Sequence, residues 1–189
     1  MGASRRSTPR IYELLVTLSD VEPPVWRRLR VSSGATLSRL ARIIAVSMSW
    51  PSRAFAVHVG GLKYEGSKTP SDGRDEASEV RLRQLLPDAG AELELDYGNG
   101  HPWHLVVRLE RLLPPSEEVR TPLCLDGAGA APPMDVGGPW GYEEWRGSPS
   151  AAPGRPGWDD ELGAHRESRP VSPRFNTAVV NAELERLRM

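Results

Sequence analysis

Between residues 92 and 110, apolar and polar side chains alternate almost without a break, and no other feature constrains the fold as tightly. Leu93, Leu95 and Tyr97 share one face of a first strand, and Trp103, Leu105, Val107 and Leu109 one face of a second, with Glu92, Glu94, Asp96, His104, Arg108 and Glu110 between them. A period of two marks a strand with one buried face, and a slip of one residue would turn every leucine to water. The link "GNGHP" is rich in turn formers, so 91–111 reads as a central antiparallel hairpin. Pairing Tyr97 with Trp103 sets Asp96 opposite His104 and Glu92 opposite Arg108. Such cross-strand pairs contribute about 0.2–1 kcal/mol each.

The same pattern recurs upstream. Tyr12, Leu14, Val16 and Leu18 alternate with more polar neighbours, as do Val25, Leu29 and Val31 beyond "SDVEPPV". This predicts a first hairpin whose second strand is edge-like or bulged, because Pro23 and Pro24 cannot donate to a central ladder. Arg28 and Arg30 then project opposite Leu29, beside Trp26, as a solvated face. In "ATLSRLARIIAVSM" the spacing changes to that of a helix. Leu37, Leu40, Ala41, Ile44 and Met48 form one apolar face, Thr36 is the N-cap, and Pro51 stops the helix after Trp50. "AFAVHVGGLKY" reads as a strand, a Gly60-Gly61 turn and a short strand, with His58 a packed or edge histidine. "VRLRQLLPDAG" reads as a short helical turn, and "FNTAVVNAELERLRM" as a closing helix capped by Asn176 with a Val180, Leu184, Leu187 stripe.

These elements predict one α+β domain over 1–189: a mostly antiparallel sheet covered by the long N-terminal-half helix and a C-terminal helix. Its core spans 10–113, 136–145 and 174–188. Residues 65–78, 114–135 and 146–173 are predicted loops, the last rich in proline and glycine.

Composition narrows the partners. Among 189 residues the formal net charge is −1, too little for an overall nucleic-acid or anionic-lipid footprint. Arg5, Arg6 and Arg10 form a short basic end. The single cysteine, Cys124, allows no internal disulfide and suits a reducing compartment. No apolar run approaches the roughly 20 residues of a membrane span, and no secretory signal opens the chain. A cytoplasmic protein without membrane association is the expectation. A lone cysteine makes no zinc site, and no phosphate loop or nucleophile elbow is present, so neither cofactor nor metal is expected.

Two polar sets and one motif invite chemistry. Asp96 can orient His104 across the hairpin, with His101 on the loop above, a carboxylate–imidazole arrangement suited to a general base; an ordinary cross-strand hydrogen bond explains the pair as well. Arg27, Arg28 and Arg30 with Trp26 are the residues best suited to nucleic acid. The motif is "VGGPWGYEEW", 136–145. Gly137 and Gly138 permit a sharp turn, Pro139 suits the first helical position, and Glu143 and Glu144 favour an early helix position. Tyr142 and Trp145 share a face with Gly141 before them, and Trp140 is expected to wedge into the core. The motif reads as a structural clasp.

The stretches "IYELLVTLSDVEPPVWRRLRV", "TLSRLARIIAVSMSW", "VGGLKY", "LDYGNGHPWH", "PPMDVGGPWGYEEW" and "FNTAVVNAEL" resemble the plasmid pRiA4b ORF-3-like protein family. Members are also labelled as passengers of insertion elements with a resolvase-like name. The resemblance implies an intracellular α+β domain of plasmids or mobile elements with no established activity. It also implies histidines in relatives where this chain has Ala54 and Ala56, cysteines at Ala131 and Val136, and a second aspartate at Asn99. Any site those residues form in relatives has lost most of its equipment here.

The leading functional expectation is a non-enzymatic interaction or accessory protein with an unknown protein partner. The alternatives are an acid–base or hydrolytic enzyme centred on the 96–104 hairpin, and a nucleic-acid accessory protein.

Overall fold

The computed structural model describes residues 9–66, 76–116, 121–147 and 175–188. Seven strands form one sheet: β1 (Ile11–Leu18), β2 (Val25–Ser32), β3 (Phe55–Val59), β4 (Leu62–Gly66), β5 (Glu92–Tyr97), β6 (Trp103–Leu113) and β7 (Leu123–Ala128). Their spatial order is β4-β3-β5-β6-β1-β2-β7, and every pairing is antiparallel. The helices are α1 (Leu37–Ser47), α2 (Glu76–Glu79), α3 (Leu82–Leu85), α4 (Gly138–Gly147) and α5 (Thr177–Arg186). The architecture is α+β, as the alternation predicts.

The β5–β6 hairpin has the expected register, with Tyr97 opposite Trp103, Asp96 opposite His104 and Glu92 opposite Arg108. Leu93, Leu95, Trp103, Leu105, Val107 and Leu109 are all buried, and β6 is the middle strand of the seven. Gly60 and Gly61, both at positive φ, close the β3–β4 hairpin, the conformation of a two-residue turn whose twist matches its strands.

Helix α1 covers the sheet. Thr36 Oγ1 accepts from Arg39 N at 3.2 Å, and Leu37, Leu40, Ala41, Ile44 and Met48 are buried. Each large side chain so placed contributes about 1.5–3 kcal/mol. The helix closes at Ser47, Ser49 turns the chain at φ +58, and Pro51 follows. Helix α5 is capped by Asn176 and buries Val180 and Leu184 against the same core.

The other sheet face is laced with ion pairs. Arg28 meets Glu110 at 2.7 Å and Arg30 meets Glu13 at 2.7 Å; Arg111 also reaches Glu13, at 3.3 Å, and Arg108 meets Glu92 at 3.6 Å. The Arg28 guanidinium lies 5.4 Å from the Trp26 ring centre, so Arg28 partly covers the indole.

Three expectations need correction. Of the two readings of β2, edge-like or bulged, the bulge is present, between Arg28 and Leu29, and the edge is not, because β7 pairs along its outer side. Pro23 and Pro24 sit before the strand starts, so their missing N–H groups cost the ladder nothing. β7 itself lies inside the predicted loop 114–135, and α2 with the end of β4 inside the predicted loop 65–78. Arg5, Arg6, residues 67–75 and the predicted loop beyond Gly147 lie outside the described residues.

Candidate functional site

Register and reach build the polar cluster on the open sheet face. Asp96 on β5 faces His104 on β6, and His104 Nδ1 stands 2.6 Å from Asp96 Oδ1. The other carboxylate oxygen is engaged from the opposite side by His58 on β3, Nε2 to Oδ2 at 3.1 Å. Asp96 therefore holds two imidazoles, one with each oxygen. The sequence reads His58 as a packed or edge histidine; it reaches Asp96 diagonally, because β3 pairs with β5 so that Ala56 lies opposite Asp96. His101 makes no ion pair with this carboxylate. It stays exposed on the hairpin loop, its backbone N–H donating to Asn99 O at 2.9 Å.

The three arginines of β2 do not form one surface. Arg28 and Arg30 are neutralised by Glu110 and Glu13. Arg27 is buried on the opposite face, where its guanidinium donates to the carbonyls of Ser47 (2.9 Å), Trp26 (2.8 Å), Ala128 (2.9 Å) and Gly129 (3.1 Å). The signal was present in the sequence: residue 27 has the parity of Val25, Leu29 and Val31.

The "GGPWGYEE" segment packs closely at its glycines, and Trp140 takes no part in that packing. Gly137 and Gly138 take φ +87 and +73. A Cβ on Gly138 would stand 3.0 Å from the Cβ and the carbonyl oxygen of His101, and one on Gly141 would stand 1.7 Å from Val136 O. The start of α4 thus presses on the β5–β6 loop at a distance only glycine allows. Pro139 follows in the first turn, where a missing N–H is no loss.

Tyr142 meets the Trp103 ring edge-on at 5.9 Å and stacks on Trp145 at 5.8 Å. Trp103 stacks on Trp50 at 6.0 Å and Trp50 on Tyr97 at 5.7 Å. Trp50 Nε1 donates to Pro132 O at 2.7 Å. Trp140, expected in the core, is instead 86% exposed. Helix geometry explains the correction. Tyr142 and Trp145, three apart, take the inner face, and a residue two before Tyr142 falls on the far side. Glu143 and Glu144 are exposed beside it.

The positions where the resemblance implies histidines and cysteines gather at one corner. Ala54 O accepts from Gly98 N at 2.9 Å, and Met134 Cε stands 3.0 Å from where a Gly98 Cβ would lie. Arg53 approaches Asp135 at 3.6 Å, and Ala131 is buried. Segments 53–56, 96–99 and 131–136 meet there, furnished in this chain with alanine, valine and asparagine. Among the described residues, no group of three or more His, Cys, Asp or Glu is placed to hold a metal ion.

Known proteins place this geometry in context. The plasmid pRiA4b ORF-3-like protein family matches residues 10–153. The uncharacterized protein y4hQ of Sinorhizobium fredii (strain NBRC 101917 / NGR234) is 34% identical over 142 residues, 71% of each chain. A crystal structure of a protein of unknown function, MM3350 from Methanosarcina mazei Go1, superposes with a TM-score of 0.63 at 28% identity, covering 75% of this chain and 82% of that one. No helix among the described residues is long and apolar enough to cross a membrane. With the "GGPWGYEE" segment, the β5–β6 hairpin and the long helix all inside the matched range, the chain belongs to the plasmid pRiA4b ORF-3-like protein family.

Proposed function

We propose that this chain is a non-enzymatic interaction protein, an accessory of plasmids or mobile elements as its family name implies, and that α4 is its contact element. The observation that carries this is the 86% exposure of Trp140 on a helix whose other face is tied to Trp103 and whose start is pinned against His101. A rigidly presented indole supplies large contact area with little ordering cost, the profile of an interface hot spot. The exposed Glu143 and Glu144 suit a partner with a basic rim, which sets orientation and association rate.

The acid–base reading has less support. The Asp96 carboxylate has one imidazole on each oxygen, and the His58 and His104 side chains are 38% and 51% exposed. A partly solvated pair in a sheet face is a modest stabiliser.

The test compares wild type and Trp140→Ala, first by thermal melting and then by binding to purified proteins encoded beside the gene. The expected result is a melting point close to that of the wild type and at least about a tenfold loss of affinity, the usual effect of removing a hot spot. Unchanged binding, or a collapse of the fold, would overturn the assignment of α4 as the contact element.

A further inference from the structure

A cavity of about 330 Å³ opens at the end of the sheet away from the histidine cluster, between the end of β2, the outer side of α1, the start of α3 and the approach to β7. Its size falls in the range of small-molecule sites. Val31, Ile43 and Pro122 give it an apolar floor and side, and Arg39, Arg81 and Arg83 line the rest; among the described residues no carboxylate lines it.

A backbone ladder sets these arginines. Leu37 N donates to Val80 O, Leu82 N to Ala35 O and Arg83 N to Ser33 O. Arg81 Nη1 donates to Gly34 O at 2.6 Å, and Arg39 Nη2 to Leu187 O. Behind Pro122, Arg188 Nη2 donates to the Pro122 carbonyl at 2.6 Å while its Nε is buried without an acceptor.

Among the described arginines, Arg28, Arg30, Arg53, Arg108, Arg111, Arg186 and Arg188 each meet a carboxylate. Arg10, Arg27, Arg39, Arg42, Arg81 and Arg83 meet none among the described residues, and three of these line the cavity. Arg83 makes no side-chain hydrogen bond there at all. Burial, and then neighbouring Arg42, hold the Arg39 guanidinium below its ordinary pKa. We infer that this cavity binds a small organic anion with an apolar body, a phosphate or carboxylate group carried on a short hydrocarbon or ring. The guanidinium forks take the anionic end in paired hydrogen bonds, and Val31, Ile43 and Pro122 cover the rest. This site is independent of α4 and of the partner proposed for it.

The experiment titrates the full chain with phenyl phosphate, phenylacetate and neutral benzyl alcohol, read by calorimetry and by amide shifts in two-dimensional NMR. Saturable binding of one or both anions is expected, with shifts centred on Gly34, Arg81 and Arg83, weakening as salt is raised and no binding of the alcohol. The stronger of the two anions identifies the headgroup. Arg83→Gln, which breaks no side-chain bond among the described residues, should weaken that anion at least about tenfold, the scale of one lost charge-assisted contact. Absence of saturation up to about 10 mM, an affinity no greater than non-specific contact gives, would overturn the inference. So would undiminished binding in Arg83→Gln and Arg81→Gln proteins that melt like the wild type.

Discussion

Arg27 is the residue with the most at stake. The residue is 3% exposed, and its guanidinium has no carboxylate partner among the described residues and lies 4.2 Å from the centre of the Phe175 ring. Burial pushes its pKa down to about 10, so it stays cationic at neutral pH, held by four carbonyl oxygens, one of them at the C-terminal end of α1, where the helix dipole favours a cation. A lysine cannot span that fork. Arg27→Lys is therefore expected to lower the unfolding free energy by about 2–4 kcal/mol, the cost of breaking charge-assisted bonds in a buried site, measured by urea denaturation. Cys124 shows the opposite response to burial, its thiol pushed up to about 11. In the folded chain it should resist thiol reagents at neutral pH and react once unfolded. Because the folded pKa lies above the ordinary value near 9, the stability this thiol contributes is complete below pH 9 and is lost as pH rises toward 11. Burial raises Tyr12 and Tyr97 as well, and they act with the same sign above pH 10. The lowered pKa of Arg27 acts oppositely from pH 10 upward. Melting points taken between pH 8 and 10 should fall, and Cys124→Ala should flatten that fall. The parity of residue 27 made its burial legible in the sequence. The approach of His58 to Asp96 was not, since it depends on which distant strand lies beside β5.

At the scale of elements, β7 and α5 explain each other. β7 is the last strand of the sheet, and an open edge invites pairing with other chains. Here Asn181 of α5 takes a strand's place: its Oδ1 accepts from Cys124 N at 2.7 Å and its Nδ2 donates to Cys124 O at 2.9 Å. Asn181→Leu removes both bonds while keeping side-chain bulk. It should cost about 1–3 kcal/mol for two neutral hydrogen bonds, speed amide exchange at Cys124, and increase association at high concentration. β7 was hidden in the sequence by the glycines that make it possible. A Cβ on Gly127 would fall 2.8 Å from Trp26 O and 2.9 Å from both Arg27 Cδ and Phe175 Cζ. A residue that reads as loop is the condition for β2 to come close. The α1 and α5 caps, by contrast, were plain in Thr36 and Asn176, because capping is a local rule. For α4 the residues of the element were legible but not which side of it faces inward, since that depends on Trp103, more than thirty residues away in sequence.

For the whole molecule, the alternation of 91–111 predicted the middle of the sheet, and the order of the remaining strands came from pairings between distant segments, β1 with β6 and β3 with β5. Such non-local contacts leave no periodic trace in a single chain. The order has a consequence for opening. β1 is paired on both sides along its full length, and β6 is paired with β1 or β5 along nearly all of it, whereas β4 ends the sheet with Leu62 57% exposed. Amide exchange should be slowest in β1 and β6, near the global unfolding free energy, and fastest among the strands in β4. Fast exchange throughout β6 would place the core elsewhere. The ion pairs of the open face should matter little to this ranking. Arg108→Ala, which removes an exposed partner of Glu92, is expected to shift stability by no more than about 1 kcal/mol, read by the same denaturation.

The row of rings from Trp145 through Tyr142, Trp103 and Trp50 to Tyr97 gives the molecule an optical handle. Indoles stacked at 6.0 Å and 23°, as Trp103 and Trp50 are, couple their electronic transitions, and the rigid asymmetry of the pair turns that coupling into circular dichroism. The signal belongs to the junction between the long helix and the central strands, and Tyr142 ties it to α4. Replacing Gly138 with alanine, which forces the helix start away from His101, should dim that signal before the far-ultraviolet spectrum changes. A ligand seated on the solvent side of α4 would disturb the same colour without touching any of the stacked rings.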